Sequence, residues 1–250
     1  MVALPGDAWI QRFHPAPQSR IRLVCFPHAG GSASFYSPMS ASLSPGVEVL
    51  AVQYPGRQDR RADKPIGNIP ELADRIFEVL QLHVDRPLAF FGHSMGAVVA
   101  FEVARRLEQK ANTAPVVLFA SSWRAPSKHR HEAVHLRDDE GLVVELKSLN
   151  GTDVKLLDDE ELLRMILPAV RSDFKALETY TFSPGPMLSC PISVFIGEAD
   201  PKTTVDEARA WRQHGKGGFH IRIFPGGHFY LIAHQAAVIK EISRGLEAYT

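Results

Sequence analysis

A serine set between two glycines, Gly92-His93-Ser94-Met95-Gly96, is the sharpest chemical feature of this chain. It follows a strand-like run, Pro87-Leu88-Ala89-Phe90-Phe91, and precedes a helix-like run from Ala97 to Leu107. Gly-x-Ser-x-Gly at a strand-to-helix junction holds the serine on a strained turn with its hydroxyl lifted above the sheet. Glycine two residues to either side removes Cβ atoms that would strike the neighbouring strand and helix. A hydroxyl presented in this way is a nucleophile for acyl transfer, once a base takes its proton and a carboxylate orients the base.

Both partners lie further along, in the order serine, acid, histidine that accompanies such a turn in hydrolases built on it. Asp200 closes Gly197-Glu198-Ala199-Asp200, just beyond the apolar run Pro191–Ile196. His228 stands in Pro225-Gly226-Gly227-His228-Phe229, just beyond Phe219–Phe224. The catalytic set is therefore read as Ser94, Asp200 and His228. Other acids and imidazoles fit less well. Glu198 is two residues nearer its strand and suits a supporting role, and Asp206 falls in the helix that follows. His220 lies in a strand and His234 in the last helix, while His93 points away from the Ser94 hydroxyl on the tight turn and packs or lines the pocket. Acyl transfer also needs two N–H donors for the developing oxyanion. The Met95 N–H, at a helix N-terminus, is one. The Ala29 N–H, in Pro27-His28-Ala29-Gly30-Gly31 after the first core strand, is the other.

These residues need a scaffold, and the chain alternates strand-like and helix-like segments. Trp9–Phe13 reads as an edge strand. Core strands are expected at Ile21–Phe26, Val47–Val52, Pro87–Phe91, Pro115–Ala120, Pro191–Ile196 and Phe219–Phe224. Helices are expected at Ser34–Leu43, Ile69–Val84, after Ser94, and from Leu231 to Ala248. This order predicts an α/β-hydrolase fold: a mostly parallel sheet, helices on both faces, and ligands at the carboxyl ends of the strands. Every motif named above falls at those ends. The segment 123–182 breaks the alternation, being charge-rich and helical over Asp138–Leu149 and Asp158–Phe174. Asp158 and Glu161 read as a capping box opening the second of these helices. The whole chain, 1–250, is expected to be one domain, with 123–182 as a helical lid inserted over the strand ends.

Composition narrows the classes of function. The 250 residues are 45% hydrophobic and 22% charged, with a formal net charge of zero. Such a balance predicts neither a nucleic-acid nor a membrane partner, and no apolar run nears the ~20 residues of a membrane span. The first residues lack the basic start and apolar core of a secretory signal, so a cytoplasmic location is expected. The two cysteines, Cys25 and Cys190, and the eleven histidines show no metal-ligand spacing, so no metal or cofactor is expected. His129 and His131 read as solvated loop residues. Nothing points to an obligate oligomer, so a monomer is the expectation.

A longer series of motifs goes beyond a generic hydrolase. It comprises Phe26-Pro27-His28-Ala29-Gly30-Gly31, Tyr54-Pro55-Gly56-Arg57, the Ser94 turn, Arg124-Ala125-Pro126, Leu167-Pro168-x-x-Arg171-x-Asp173-Phe174 with Glu178-x-Tyr180, Gly197-x-x-Asp200, and Gly226-Gly227-His228-Phe229. The series resembles type II thioesterases, the stand-alone editing enzymes of polyketide and nonribosomal peptide synthases, from about Ile21 to the last helix. The resemblance implies hydrolysis of short, misprimed or decarboxylated acyl groups from the phosphopantetheine arm of acyl or peptidyl carrier proteins, with the substrate itself bringing the phosphopantetheine. A carboxylesterase or an acyltransferase would use the same triad and is the alternative. Carrier docking implies basic residues at the mouth: Arg57, Arg60, Arg61 and Lys64, with Arg124, Lys128 and Arg130 from the lid. His28, Phe35 and Phe229 are expected to border the acyl chamber.

Overall fold

The computed structural model describes residues 7–151 and 158–250. Seven strands form one sheet: β1 (Ile10–Gln11), β2 (Arg22–Phe26), β3 (Glu48–Val52), β4 (Leu88–His93), β5 (Leu118–Ser121), β6 (Ile192–Gly197) and β7 (Phe219–Phe224). Their spatial order is β1-β3-β2-β4-β5-β6-β7. Only the short edge strand β1 runs antiparallel, pairing Ile10 with Val52; the other described pairs are parallel.

Burial on both faces explains why the core strands read as unbroken apolar runs rather than alternating ones. Val24, Phe26, Leu50, Val52 and Phe90 face one layer, which holds α2 (Ile69–Leu80) and α3 (Met95–Ala111). Leu23, Cys25, Val49, Ala51, Ala89 and Phe91 face the other, which holds α1 (Ser37–Leu43), α7 (Tyr230–Ala233) and α8 (Gln235–Leu246). Both cysteines are buried and free, and burial raises the thiols, that of Cys190 to about 12. β7 is the far edge, and His220 and Arg222 on it are exposed. The expected last helix is two helices, broken at His234, whose ring stacks on Phe224.

Between β5 and β6 the described residues add no strand to the sheet. They contribute α4 (Asp139–Leu149) and α5 (Glu160–Glu178), and the short α6 (Val205–Arg209) follows β6. Val134, Leu142, Leu146, Leu167, Val170 and Phe174 form a small separate core between α4, α5 and the turn before them. The cap of α5 is Asp159, one residue later than the sequence suggests. Its Oδ1 accepts from the Glu161 and Leu162 N–H groups, while Asp158 is engaged by Lys147 on α4 at 2.7 Å. No helix among the described residues is long and apolar enough to cross a membrane.

Candidate active site

The turn between β4 and α3 is strained in the way its glycines allow. Ser94 has φ +54° and ψ −119°, a conformation non-glycine residues avoid. A Cβ on Gly92 would lie 2.1 Å from the Gly96 carbonyl oxygen, and one on Gly96 would lie 1.9 Å from that of Phe26. Strand, turn and helix therefore pack backbone to backbone. The Ser94 N–H donates to the Ser121 carbonyl at 2.8 Å, which ties the turn to β5.

Ser94, Asp200 and His228 come together at the carboxyl end of the sheet. His228 Nε2 lies 3.0 Å from Ser94 Oγ, and Nδ1 lies 2.9 and 3.1 Å from the two Asp200 oxygens. An ionised carboxylate only accepts, so Nδ1 carries the proton and Nε2 is free to accept that of the serine. All three residues are buried. The Lys202 N–H donates to Asp200 Oδ1 at 2.9 Å, and Ser122 Oγ donates to the His228 carbonyl at 2.9 Å. The acid and the base are each held from behind.

The Met95 N–H opens α3 and the Ala29 N–H lies in the loop after β2. Among the described residues neither donates to a protein acceptor. Ala29 lines the space above Ser94, and Met95 directly follows that serine in the chain. This cavity measures about 30 Å³, room for about two waters. Its remaining walls are mainly apolar: Trp123, Leu146, Leu149, Phe174, Leu177 and Phe229. Sequence patterning carried a signal for part of this wall, since Leu167, Val170, Phe174 and Leu177 form one stripe of α5.

His28 and Phe229 line the cavity as expected. Their rings meet edge to face at 4.8 Å. Burial, then the nearby His228 and Arg57, hold the His28 imidazole down to about 3, so it is neutral in the working range. Phe35 packs edge-on against His28 at 4.8 Å and does not line the cavity. His93 is buried behind the nucleophile, with Nδ1 2.9 Å from Ser121 Oγ, which in turn bonds Tyr230. Burial lowers it well below the usual histidine range.

Two of the expected carrier-facing cations are not at the surface. Arg57 is buried and pairs with Asp173 of α5 through two bonds, of 2.7 and 3.0 Å. Arg124 is buried too; it stacks on Trp123, donates to the Lys202 carbonyl at 3.0 Å and pairs with Glu132. The Arg57 donors are all matched inside the fold, which leaves none for a partner, and Arg124 is turned inward by its pair with Glu132. Arg60 is spent on Asp63 and the Trp9 ring, and Arg130 on Glu207. Arg61, Lys64 and Lys128 remain exposed. Lys202, not singled out by the sequence, reaches the cavity wall while held by Glu132 and Glu145.

A mostly parallel, doubly covered sheet with a serine turn of this geometry defines an α/β-hydrolase. Residues 21–246 match the Thioesterase domain family, and the chain belongs to it; it is a hydrolase acting on thioesters. A probable cadicidin biosynthesis thioesterase of Streptomyces griseus is 55% identical over 238 residues, which span 95% of this chain and 66% of that protein. Thioesterase PikA5 of Streptomyces venezuelae is 49% identical over 236 residues, or 94% of this chain and 84% of that one. The chain thus spans just under two thirds of the length of the first relative. The solved type II thioesterase BorB, from the borrelidin biosynthetic cluster, superposes with a TM-score of 0.91 at 51% identity, covering 98% of this chain and all of that one.

Proposed function

We propose that this chain is a type II thioesterase that releases short acyl groups from the phosphopantetheine arm of carrier proteins in a polyketide or nonribosomal peptide pathway. The observation that carries the reading is the Ser94–His228–Asp200 relay, at 3.0 and 2.9 Å, beneath two unengaged amides. His228 Nε2 takes the Ser94 proton as Oγ attacks the thioester carbonyl. The oxyanion gathers on the Met95 and Ala29 N–H groups, at the positive end of α3. The carbon–sulfur bond breaks, the thiol leaves with the proton from His228, and an acyl-serine remains. Water deprotonated by His228 then releases the acid and restores the serine. Asp200 holds the tautomer and stabilises the imidazolium.

The cavity supports a preference for decarboxylated, non-ionic acyl groups. Its one lining cation among the described residues, Lys202, is already paired with two glutamates. A malonyl-type carboxylate would be desolvated there with no free partner. The segment 123–182 acts as the lid: Leu146 and Leu149 of α4 and Phe174 and Leu177 of α5 roof the cavity, and about 30 Å³ does not hold an acyl-pantetheine unless the roof moves. The enzyme works in the cytoplasm, as a monomer, without a metal or cofactor of its own, and binds its carrier through exposed cations. Within the family, the motif series resembles that of the rifamycin-pathway thioesterase.

The test is acid release from acetyl-, propionyl- and methylmalonyl-loaded acyl carrier protein, wild type beside Ser94→Ala. Expected is Ser94-dependent release, fastest for the first two. Turnover of simple oxygen esters with no Ser94-dependent release from any carrier would replace this reading with a carboxylesterase.

A further inference from the structure

The geometry points to Asp173, on α5, as a positioning residue for the oxyanion hole, with Arg57 as its brace. The inference rests on the reading of the Ala29 N–H as an oxyanion donor. That donor sits in a four-residue turn, His28–Gly31, closed by the Gly31 N–H on the His28 carbonyl at 2.9 Å. Gly30 has φ +74°, so the turn is of type II, with glycine at the position that needs a positive φ. A type II turn differs from type I by rotation of its central peptide plane, here the one joining Ala29 to Gly30. The N–H of that plane donates to Asp173 Oδ2 at 2.8 Å. Asp173 therefore holds the peptide that decides the turn type, directly beside the catalytic N–H.

The same carboxylate oxygen accepts Arg57 Nη1 at 2.7 Å, and Arg57 Nη2 reaches Oδ1 at 3.0 Å. Arg57 Nη1 also donates to the Gly31 carbonyl at 3.0 Å. The turn is thus gripped by one ion pair at two of its peptides, Ala29–Gly30 through the N–H and Gly31–Ser32 through the carbonyl. Arg57 has a second effect. A lone carboxylate beside this loop would oppose the negative charge that develops on the substrate oxygen, and the guanidinium cancels it. Just past α5, Tyr180 donates to Glu102 of α3 at 2.8 Å, a second tie from this segment to the body of the fold, while the Glu178 carboxylate takes the Val134 and His135 N–H groups within the segment at 2.7 and 3.0 Å.

Two variants separate positioning from mere stability. Asp173→Asn keeps an oxygen at the Oδ2 position for the Gly30 N–H but loses the charge opposite Arg57. The double variant Arg57→Met with Asp173→Leu removes the pair and the acceptor together, and such apolar replacements of buried ion pairs are often neutral or stabilising. Each is assayed with a propionyl thioester of N-acetylcysteamine beside wild type and Ser94→Ala, with thermal melting in parallel. Expected for the double variant is a melting temperature near wild type, kcat about 100-fold lower and KM within about twofold. Expected for Asp173→Asn is a lower melting temperature with kcat within about fivefold of wild type. Wild-type kcat in the folded double variant, or an Asp173→Asn variant as slow as about 100-fold below wild type, overturns the inference. Wild-type turnover that does not depend on Ser94 would instead overturn the reading on which it rests.

Discussion

Replacing Gly96 by alanine should disable catalysis well before it unfolds the chain. The added Cβ would lie 1.9 Å from the Phe26 carbonyl oxygen, 2.6 Å from its carbon and 2.8 Å from the Pro27 oxygen. All three are backbone atoms, so no rotamer change relieves the contact. Even the tightest real Cβ contacts are near 3.0 Å, so β2 and α3 must part by about 1.1 Å or more. Phe26 and Pro27 lead directly into the turn that carries the Ala29 N–H, and Gly96 lies two residues from Ser94. The displacement therefore falls between the nucleophile and its oxyanion donor. A misplacement of about 1 Å can cost about 100-fold in rate, or about 2.7 kcal/mol of transition-state stabilisation. Overpacking costs the fold about 1–3 kcal/mol, which in a chain of this size lowers Tm by about 2–12 °C. The assay is kcat/KM on a short acyl thioester with Tm by circular dichroism. Gly46→Ala is the control, since its Cβ would meet only the Leu43 oxygen, at 3.7 Å. A Gly96→Ala variant within about threefold of wild-type kcat/KM would refute the argument from backbone contact.

Acid should destabilise the fold through its buried neutral histidines. Burial holds the His28 imidazole down to about 3 in the fold, well below the ordinary histidine value of about 6.5, so below 6.5 the unfolded chain takes up a proton that the native state refuses. Stability is therefore lost as pH falls from 6.5 toward 3, by about 2 kcal/mol at pH 5 from His28 alone; denaturant melts at pH 7.5 and 5 should show a drop that shrinks in His28→Gln, and an unchanged drop would sink the assignment. Reversing charge at Arg61, Lys64 and Lys128 should raise KM for an acyl-carrier substrate about threefold or more and spare a small soluble thioester. Arg124→Glu, by contrast, breaks an internal pair, so it should lower Tm and slow both substrates alike; a selective loss on the carrier substrate would return Arg124 to the docking face.

Elements whose signal is local were legible in the sequence. Ser94, Asp200 and His228 each follow a run of strand formers and a glycine, so their placement needs no knowledge of distant contacts. The same holds for the parallel sheet, because strands buried on both faces leave long apolar runs. Boundaries moved where tertiary partners compete. The α5 cap is Asp159 and not Asp158, whose carboxylate pairs with Lys147 instead, and the last helix breaks at His234. Phe35 shows the limit of residue type alone, since an aromatic near the site in sequence lies against His28 and not in the cavity.

Charged residues resisted reading for a different reason. A lone arginine looks the same in sequence whether it meets solvent, a partner or a carboxylate 116 positions away, as Arg57 meets Asp173. Periodicity carries no information about such a pair, because it depends on two loops and a helix converging. Folding has spent the arginines with the most telling neighbours, Arg57 and Arg124, on internal bonds, and left Arg61, Lys64 and Lys128 outside. This division follows from the chemistry. Guanidinium is weakly hydrated and forks onto carboxylates, so Arg57 and Arg124 survive burial near the reacting atoms, and the more strongly hydrated ammonium of Lys202 is held in the cavity wall by two carboxylates at once. Surface pairs form and part within solvent, where their attraction is weak and set by salt. The two roles thus have different signatures: the internal pairs should govern kcat and Tm with little response to ionic strength, and the outer cations should govern the salt dependence of KM for the carrier.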